Sequence, residues 1–247
     1  MQFAPELLAR LRAAGRVVAL TGAGTSAESG VPTFRDAQTG LWANFKPEEL
    51  ATPEAFRRNP RLVWEWYAWR RERVGSVQPN PGHVALAELG RRVAEFTLVT
   101  QNVDGLHQRA GSTGVLELHG NITRTKCFDE DRVVTAWTED GRIPPRCPRC
   151  GGYLRPDVVW FGETLPLEAF EASLAASRHC EVFFSIGTSS LVYPAASLPS
   201  EARAAGAVVV EINPQPTPLT DEADFSLRGP SGVILPQLIC AAWPERG

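Results

Sequence analysis

Short, mostly apolar strand-sized runs recur along this chain, and they restrict its fold more than any other feature. They occupy residues 17–20, 96–100, 115–118, 182–186 and 208–212. The first, Val17-Val18-Ala19-Leu20, is unbroken, which suits a strand buried on both faces. Stretches with helical spacing lie between them, at residues 84–92, 167–177 and 195–205. A further amphipathic helix is predicted over 6–14, with Leu7, Leu8 and Leu11 on one face. Strands alternating with helices predict an α/β fold, a Rossmann-like parallel sheet covered on both sides. Ligands in such folds sit outside the carboxyl ends of the strands.

Two segments break this rhythm. Residues 41–74 are rich in aromatics and helix-like, and residues 121–156 are polar and carry Cys127, Cys147 and Cys150 among several prolines. Both are read as insertions that build a smaller helical and metal-module lobe. The chain is then one catalytic unit over 1–247, with a large lobe at about 1–33, 81–120 and 157–247 and a small lobe at about 34–80 and 121–156. An apolar fraction of 43% and a charged fraction of 21% argue against disorder. The formal net charge of -3 gives no electrostatic reason to expect nucleic acid or an anionic membrane as partner. No apolar run is long enough to cross a bilayer, and the first residues lack the pattern of a secretory signal, so a cytoplasmic location is expected. Five cysteines, three of them close together, suggest a metal site rather than a disulfide framework. Cys180 and Cys240, in apolar contexts, are expected in the core.

The first apolar run feeds directly into a glycine turn. Gly22-x-Gly24-x-x-Ala27 matches the phosphate-binding pattern of dinucleotide folds, where glycines permit close backbone approach to a pyrophosphate. Taken alone it is equally a structural turn. A dehydrogenase would next show a second strand ending in an acidic residue for the ribose. Residues 32–36 instead read as a loop, which removes the main support for hydride transfer.

Six motifs in fixed order then resemble one family. They are residues 21–35 (Thr-Gly-Ala-Gly-Thr-Ser through Pro-Thr-Phe-Arg), Gln101-Asn102-Val103-Asp104, Leu118-His119-Gly120-Asn121, Val159-Trp160-Phe161-Gly162-Glu163, Gly187-Thr188-Ser189-Ser190 and Glu211-Ile212-Asn213. The chain resembles the sirtuins, NAD-dependent protein deacylases, over roughly residues 15–238. The resemblance implies NAD as co-substrate, acylated-lysine proteins or peptides as partners, and nicotinamide, O-acyl-ADP-ribose and free lysine as products. It implies that Gly22, Ala23, Gly24, Thr25 and Ser26 hold the pyrophosphate and that Phe34 and Arg35 belong to a loop over the nicotinamide ribose. Gln101, Asn102 and Asp104 would line the nicotinamide and ribose pocket. Gly187, Thr188, Ser189 and Asn213 would contact the adenosine half, with Ser231 closing over adenine. Val159, Trp160, Phe161 and Gly162 correspond to the family's substrate-binding strand.

Sirtuin chemistry asks for a general base toward the ribose hydroxyls, and imidazole suits it because its pKa lies near working pH. Of the four histidines, His119 ends a predicted strand, where such a sheet places its chemistry. It is assigned as the catalytic base, beside Asn102. His107 is open to a structural role; His83 and His179 are read as ordinary structural or surface residues. Tyr67 and Arg70, three apart on one helical face, resemble the pair of sirtuins that remove succinyl, malonyl and glutaryl groups. A guanidinium fork and a phenol can together bind a terminal carboxylate. The alternative is that Tyr67 packs the small lobe while Arg70 reaches solvent. Removal of acetyl groups is expected to persist.

Sirtuins typically hold structural zinc on two Cys-x-x-Cys pairs. Cys147-Pro148-Arg149-Cys150 keeps the second pair, but Glu130 stands where the first pair, begun by Cys127, should end. Three thiolates and a carboxylate can hold Zn2+ more weakly than four thiolates; the alternative is a module held by packing alone. Two other functions share the cofactor pocket, mono-ADP-ribosyl transfer and catalytically silent NAD binding.

Overall fold

The computed structural model describes residues 2–31 and 46–244; Phe34 and Arg35 lie outside them. Six strands form one parallel sheet: β1 (Arg16–Thr21), β2 (Glu95–Thr100), β3 (Leu116–Glu117), β6 (Val182–Ile186), β7 (Val208–Asn213) and β8 (Phe225–Arg228). Their spatial order is β3-β2-β1-β6-β7-β8, so the winding reverses between β1 and β6. That reversal opens a crevice at the carboxyl ends of the strands. Register aligns those ends: Thr21 pairs with Thr100 on one side and Ile186 on the other, and Ile186 pairs with Ile212.

Alternate strand residues feed two cores. Val17, Ala19, Phe184 and Val210 pack beneath α1 (Pro5–Ala13), α6 (Pro81–Arg92) and α10 (Ser231–Ala242), through Leu7, Leu11, Leu86, Leu89, Leu235 and Leu238. Val18, Leu20, Phe183 and Val209 face the other side with Leu198 and Ala202 of α9 (Leu198–Ala204); Phe170 and Leu174 of α8 (Leu167–His179) pack against this core. Both faces of each central strand are buried, which is why the sequence shows largely apolar runs there.

A third core unites the two segments that broke the alternation. The helices α3 (Pro47–Leu50), α4 (Pro53–Arg58) and α5 (Pro60–Ser76) bring Leu50, Phe56, Val63, Trp66 and Tyr67 against Ile122, Val158 and Trp160. Ile122 and Val158 come from an antiparallel pair, β4 (Gly120–Cys127) and β5 (Leu154–Val158). Arg71 ties α5 to β4 by donating to the Ile122 carbonyl at 2.8 Å. Asn59 and Thr52 cap α5 and α4 through side-chain oxygens, each worth about 1 kcal/mol of helix stability.

Two expectations need correction, and one strand lies outside the sequence reading. Residues 159–163 are not a strand: β5 stops at Val158, and the chain turns away after Val159 and Phe161 donate to the carbonyls of His119 and Ala51. The strand is the less apolar segment before it, selected by pairing with β4. Cys240 is exposed, because the core stripe of α10 runs through Ile234, Leu235, Leu238 and Ile239 and leaves position 240 outside; Cys180 is buried as expected. The strand β8, half-buried at the sheet edge, was not foreseen. Among the described residues no helix is long and apolar enough to cross a membrane.

Candidate active site

Two glycine turns meet at the switch point. A Cβ on Gly22 would lie 2.8 Å from the Gly187 carbonyl oxygen, and one on Gly24 the same distance from it. Gly187 has φ +59°, and its Cβ would fall 2.4 Å from the Thr25 nitrogen. The turns after β1 and β6 therefore touch backbone to backbone, a contact that side chains at these positions would prevent. Gly22 and Gly24 donate to the carbonyls of Ile186 and Gly187 at 2.9 and 2.8 Å. Asn213, ending β7, donates to the Thr188 carbonyl at 2.7 Å, and Gln101 donates to the Thr188 hydroxyl at 3.1 Å. Exposed Ser189 lies on the same edge. Residues predicted to hold the two halves of NAD are thus hydrogen-bonded to each other along one sheet edge.

Beside this edge opens a cavity of about 310 Å³. Ala23, Ser26, Gln101, Asn102, Asp104 and His119 line its sheet side, and Tyr67, Arg70, Val159, Trp160, Phe161 and Gly162 line the other. Ser231 is not there. It sits at the start of α10, buried, with its hydroxyl donating to Glu28 at 2.8 Å.

His119 follows β3 directly. Its Nδ1 lies 2.9 Å from the Gln101 carbonyl oxygen, an acceptor, so Nδ1 carries the proton and Nε2 keeps its lone pair. Burial lowers the imidazole pKa below its ordinary value, partly countered by the bond to Gln101. The ring is consequently neutral and basic at Nε2 at neutral pH. Asn102 spends its amide protons on the Gly22 carbonyl and the Ser26 hydroxyl, both at 3.0 Å, leaving its carbonyl oxygen free to accept. Asp104 is buried, which raises its pKa, while the Leu106 N–H at 2.9 Å opposes that shift.

His83 was read as an ordinary residue, yet it backs this wall. Its Nε2 lies 3.3 Å from the Ser26 hydroxyl and its Nδ1 accepts the Asn80 N–H in a capping box. Its ring packs 4.8 Å from that of His107, whose Nε2 meets the Thr21 hydroxyl at 2.9 Å. Burial lowers both, His83 to about 4 and His107 to about 3, so both are neutral and structural. His179 is exposed.

Across the cavity, Arg70 packs its guanidinium over Trp66 and Tyr67 at 4.9 and 5.6 Å from the ring centroids. Burial lowers its pKa from a value high enough that it remains a cation. Arg155, unforeseen in the sequence, lies buried under Trp160 with its guanidinium carbon 3.2 Å from the ring centroid. Exposed Val192 and Tyr193 complete the cavity mouth.

Farther along β4 and β5, one ligand atom each from Cys127, Glu130, Cys147 and Cys150 lies within 4.8 Å of the others. The Cys127 and Cys150 sulfurs are 3.4 Å apart. Glu130 is steadied by Arg149 at 3.2 Å and Arg132 at 3.6 Å. Its Oε2 is buried with no hydrogen-bond partner among the described residues. A buried carboxylate oxygen that makes no hydrogen bond, set beside three sulfurs, is the donor set of a thiophilic divalent cation.

Residues 22–194 match the Sir2 family. A Ralstonia nicotianae protein named NAD-dependent protein deacylase is 56% identical over 230 residues, covering 93% of this chain and 93% of that protein. An Aquifex aeolicus protein of the same name is 54% identical over 213 residues, 86% of this chain and 89% of that one. Among solved structures, a Sir2 homolog in complex with NAD superposes with a TM-score of 0.90 at 45% identity, covering 98% of this chain and 94% of the other. Sir2Af2 bound to a myristoylated histone peptide superposes with a TM-score of 0.76 at 36% identity, covering 96% and 94%.

Proposed function

Because the chain belongs to the Sir2 family, we propose that it is an NAD-dependent deacylase of lysine side chains in proteins or peptides, with a pocket suited to succinyl and malonyl groups as well as acetyl. The observation that carries this reading is one cavity lined by three parts: Ala23 and Ser26 of the first glycine turn, His119 with a free Nε2, and the Tyr67/Arg70 pair. Bound NAD supplies the leaving nicotinamide and the ribose that accepts the acyl group. The glycine backbones leave room for close approach of its phosphates, and Thr188, Ser189 and Asn213 border the adenosine end. The Asn102 carbonyl oxygen and the Asp104 carboxylate would offer acceptors to a nicotinamide amide seated in the cavity. His119 Nε2 takes a proton from a ribose hydroxyl, and the Gln101 carbonyl steadies the imidazolium that results. Val159, Phe161 and Gly162 border the lysine side chain, while Arg70 pairs with a terminal acyl carboxylate.

Mass analysis after incubation with NAD and succinyl- or acetyl-lysine peptides tests this proposal. Free peptide and O-acyl-ADP-ribose are expected. A gain of ADP-ribose on protein would instead mark a transferase, and no change in either would mark a binding module.

The cysteine cluster fits structural zinc with Glu130 as fourth ligand. The ion would join the loop after β4 to the Cys147–Cys150 knuckle and stabilise the small lobe. Freshly purified protein is expected to contain about one equivalent of zinc. Glu130→Ala should speed zinc loss to a chelator by on the order of tenfold, and Glu130→Cys should slow it. Zinc far below one equivalent, or a loss rate indifferent to position 130, contradicts the assignment.

A further inference from the structure

Tyr67 is almost wholly buried, yet it lines the cavity, so its neighbours decide which way its hydroxyl points. Trp160 Nε1 lies 3.0 Å from Tyr67 Oη. An indole N–H can only donate, so the phenol oxygen accepts this bond. The Arg70 guanidinium, also a group with donors alone, lies over the same ring, 5.6 Å from its centroid. Burial raises the phenol pKa, so the group stays protonated. Neither neighbour can receive that proton, which leaves the cavity as its direction.

Trp160 is not free to turn away. Arg155 stacks beneath its ring and donates to Glu163 Oε2 at 3.0 Å. The same oxygen accepts the Trp160 main-chain N–H at 2.8 Å. Arg155 also donates to the Val158 carbonyl at 2.6 Å, pinning the end of β5. The indole is therefore fixed in plane and in direction.

We propose that Trp160 is a positioning residue for acyl selectivity: its indole N–H holds the Tyr67 hydroxyl as a donor toward the far end of the acyl chain, where Tyr67 and Arg70 together receive a terminal carboxylate. The inference rests on the acidic-acyl reading of Tyr67 and Arg70. An acyl group without a terminal carboxylate has no acceptor at its far end to meet the oriented proton, so the effect falls on selectivity.

Steady-state kinetics on matched succinyl- and acetyl-lysine peptides test it, with the wild type, Trp160→Phe, Tyr67→Phe and the double variant. Trp160→Phe is expected to raise KM for the succinyl peptide more than for the acetyl peptide. The succinyl-to-acetyl ratio of kcat/KM then falls about tenfold, the scale of one hydrogen bond to a charged group. Since Trp160 acts through Tyr67, the double variant should lose no more selectivity than Tyr67→Phe alone. Parallel losses on both peptides, or additive losses of selectivity, overturn the proposal and leave Trp160 a packing residue. Site-specific replacement of Trp160 by benzothienylalanine, which puts sulfur in place of N–H at the same shape, guards against a packing defect. The same loss of selectivity at an unchanged Tm supports the proposal, and unchanged selectivity overturns it. Arg70→Met separates the two levels. If it leaves the ratio unaltered, the acidic-acyl reading itself fails; if it lowers the ratio while both Trp160 replacements do not, the positioning role alone fails.

Discussion

Replacing His119 with tyrosine is expected to lower kcat by roughly three orders of magnitude, within the span that general-base catalysis contributes. The protein should stay folded, because His119 lies at the cavity wall outside the three large cores and its ring bonds the Gln101 carbonyl. Circular dichroism and Tm of the variant check that half of the expectation. Residual deacylation above a few per cent would remove His119 from the role of base. The wild-type pH profile adds an independent check. Burial lowers the folded-state imidazole pKa, so the basic form survives to lower pH than it would on a free histidine. The acid limb of kcat/KM should accordingly have its midpoint below 6.5, the ordinary imidazole value. A midpoint above that value contradicts the environment described for His119.

Arg70→Met should reduce kcat/KM for succinyl-lysine peptide by roughly a hundredfold, and for acetyl-lysine peptide far less. Two charge-assisted hydrogen bonds to a carboxylate contribute on the order of 3 kcal/mol, and each 1.4 kcal/mol is a factor of ten. Methionine keeps much of the packing over Trp66 and Tyr67, so the change isolates the guanidinium from the apolar stem. Equal losses on both peptides would mean that Arg70 supports the small lobe rather than the acyl group. Matched peptides of one sequence make the comparison internal and cancel effects on NAD.

The central sheet was legible because its strands are buried on both faces, so Val182–Ile186 carries no polar interruption except Ser185. The strand β8 escaped notice for the opposite reason. It is a half-buried edge carrying Ser226 and Arg228, with too little apolar pattern to separate it from a loop. The boundary of β5 was misplaced because Val159, Trp160 and Phe161 look more strand-like than Arg155, Pro156 and Asp157, yet pairing with β4 selects the latter. Residues that touch the cavity through short motifs, such as Gln101, Asn102, Asp104 and His119, could be named from sequence. Contacts between residues far apart in the chain could not. His83 meets Ser26 across 57 positions and Trp160 meets Tyr67 across 93, and no local spacing encodes such contacts. Arg155 in the same way shows its importance only when its ring partner and its carboxylate are in place.

The central claim is that this cavity consumes NAD to remove an acyl group. Its most direct test is the stoichiometry of the wild-type reaction, with nicotinamide and free lysine peptide quantified together over the first turnovers. One nicotinamide per acyl group lost, with neither product forming when NAD or the acylated peptide is left out, is the predicted result. Acyl loss without NAD, or nicotinamide release that is indifferent to the acylated peptide, would contradict it.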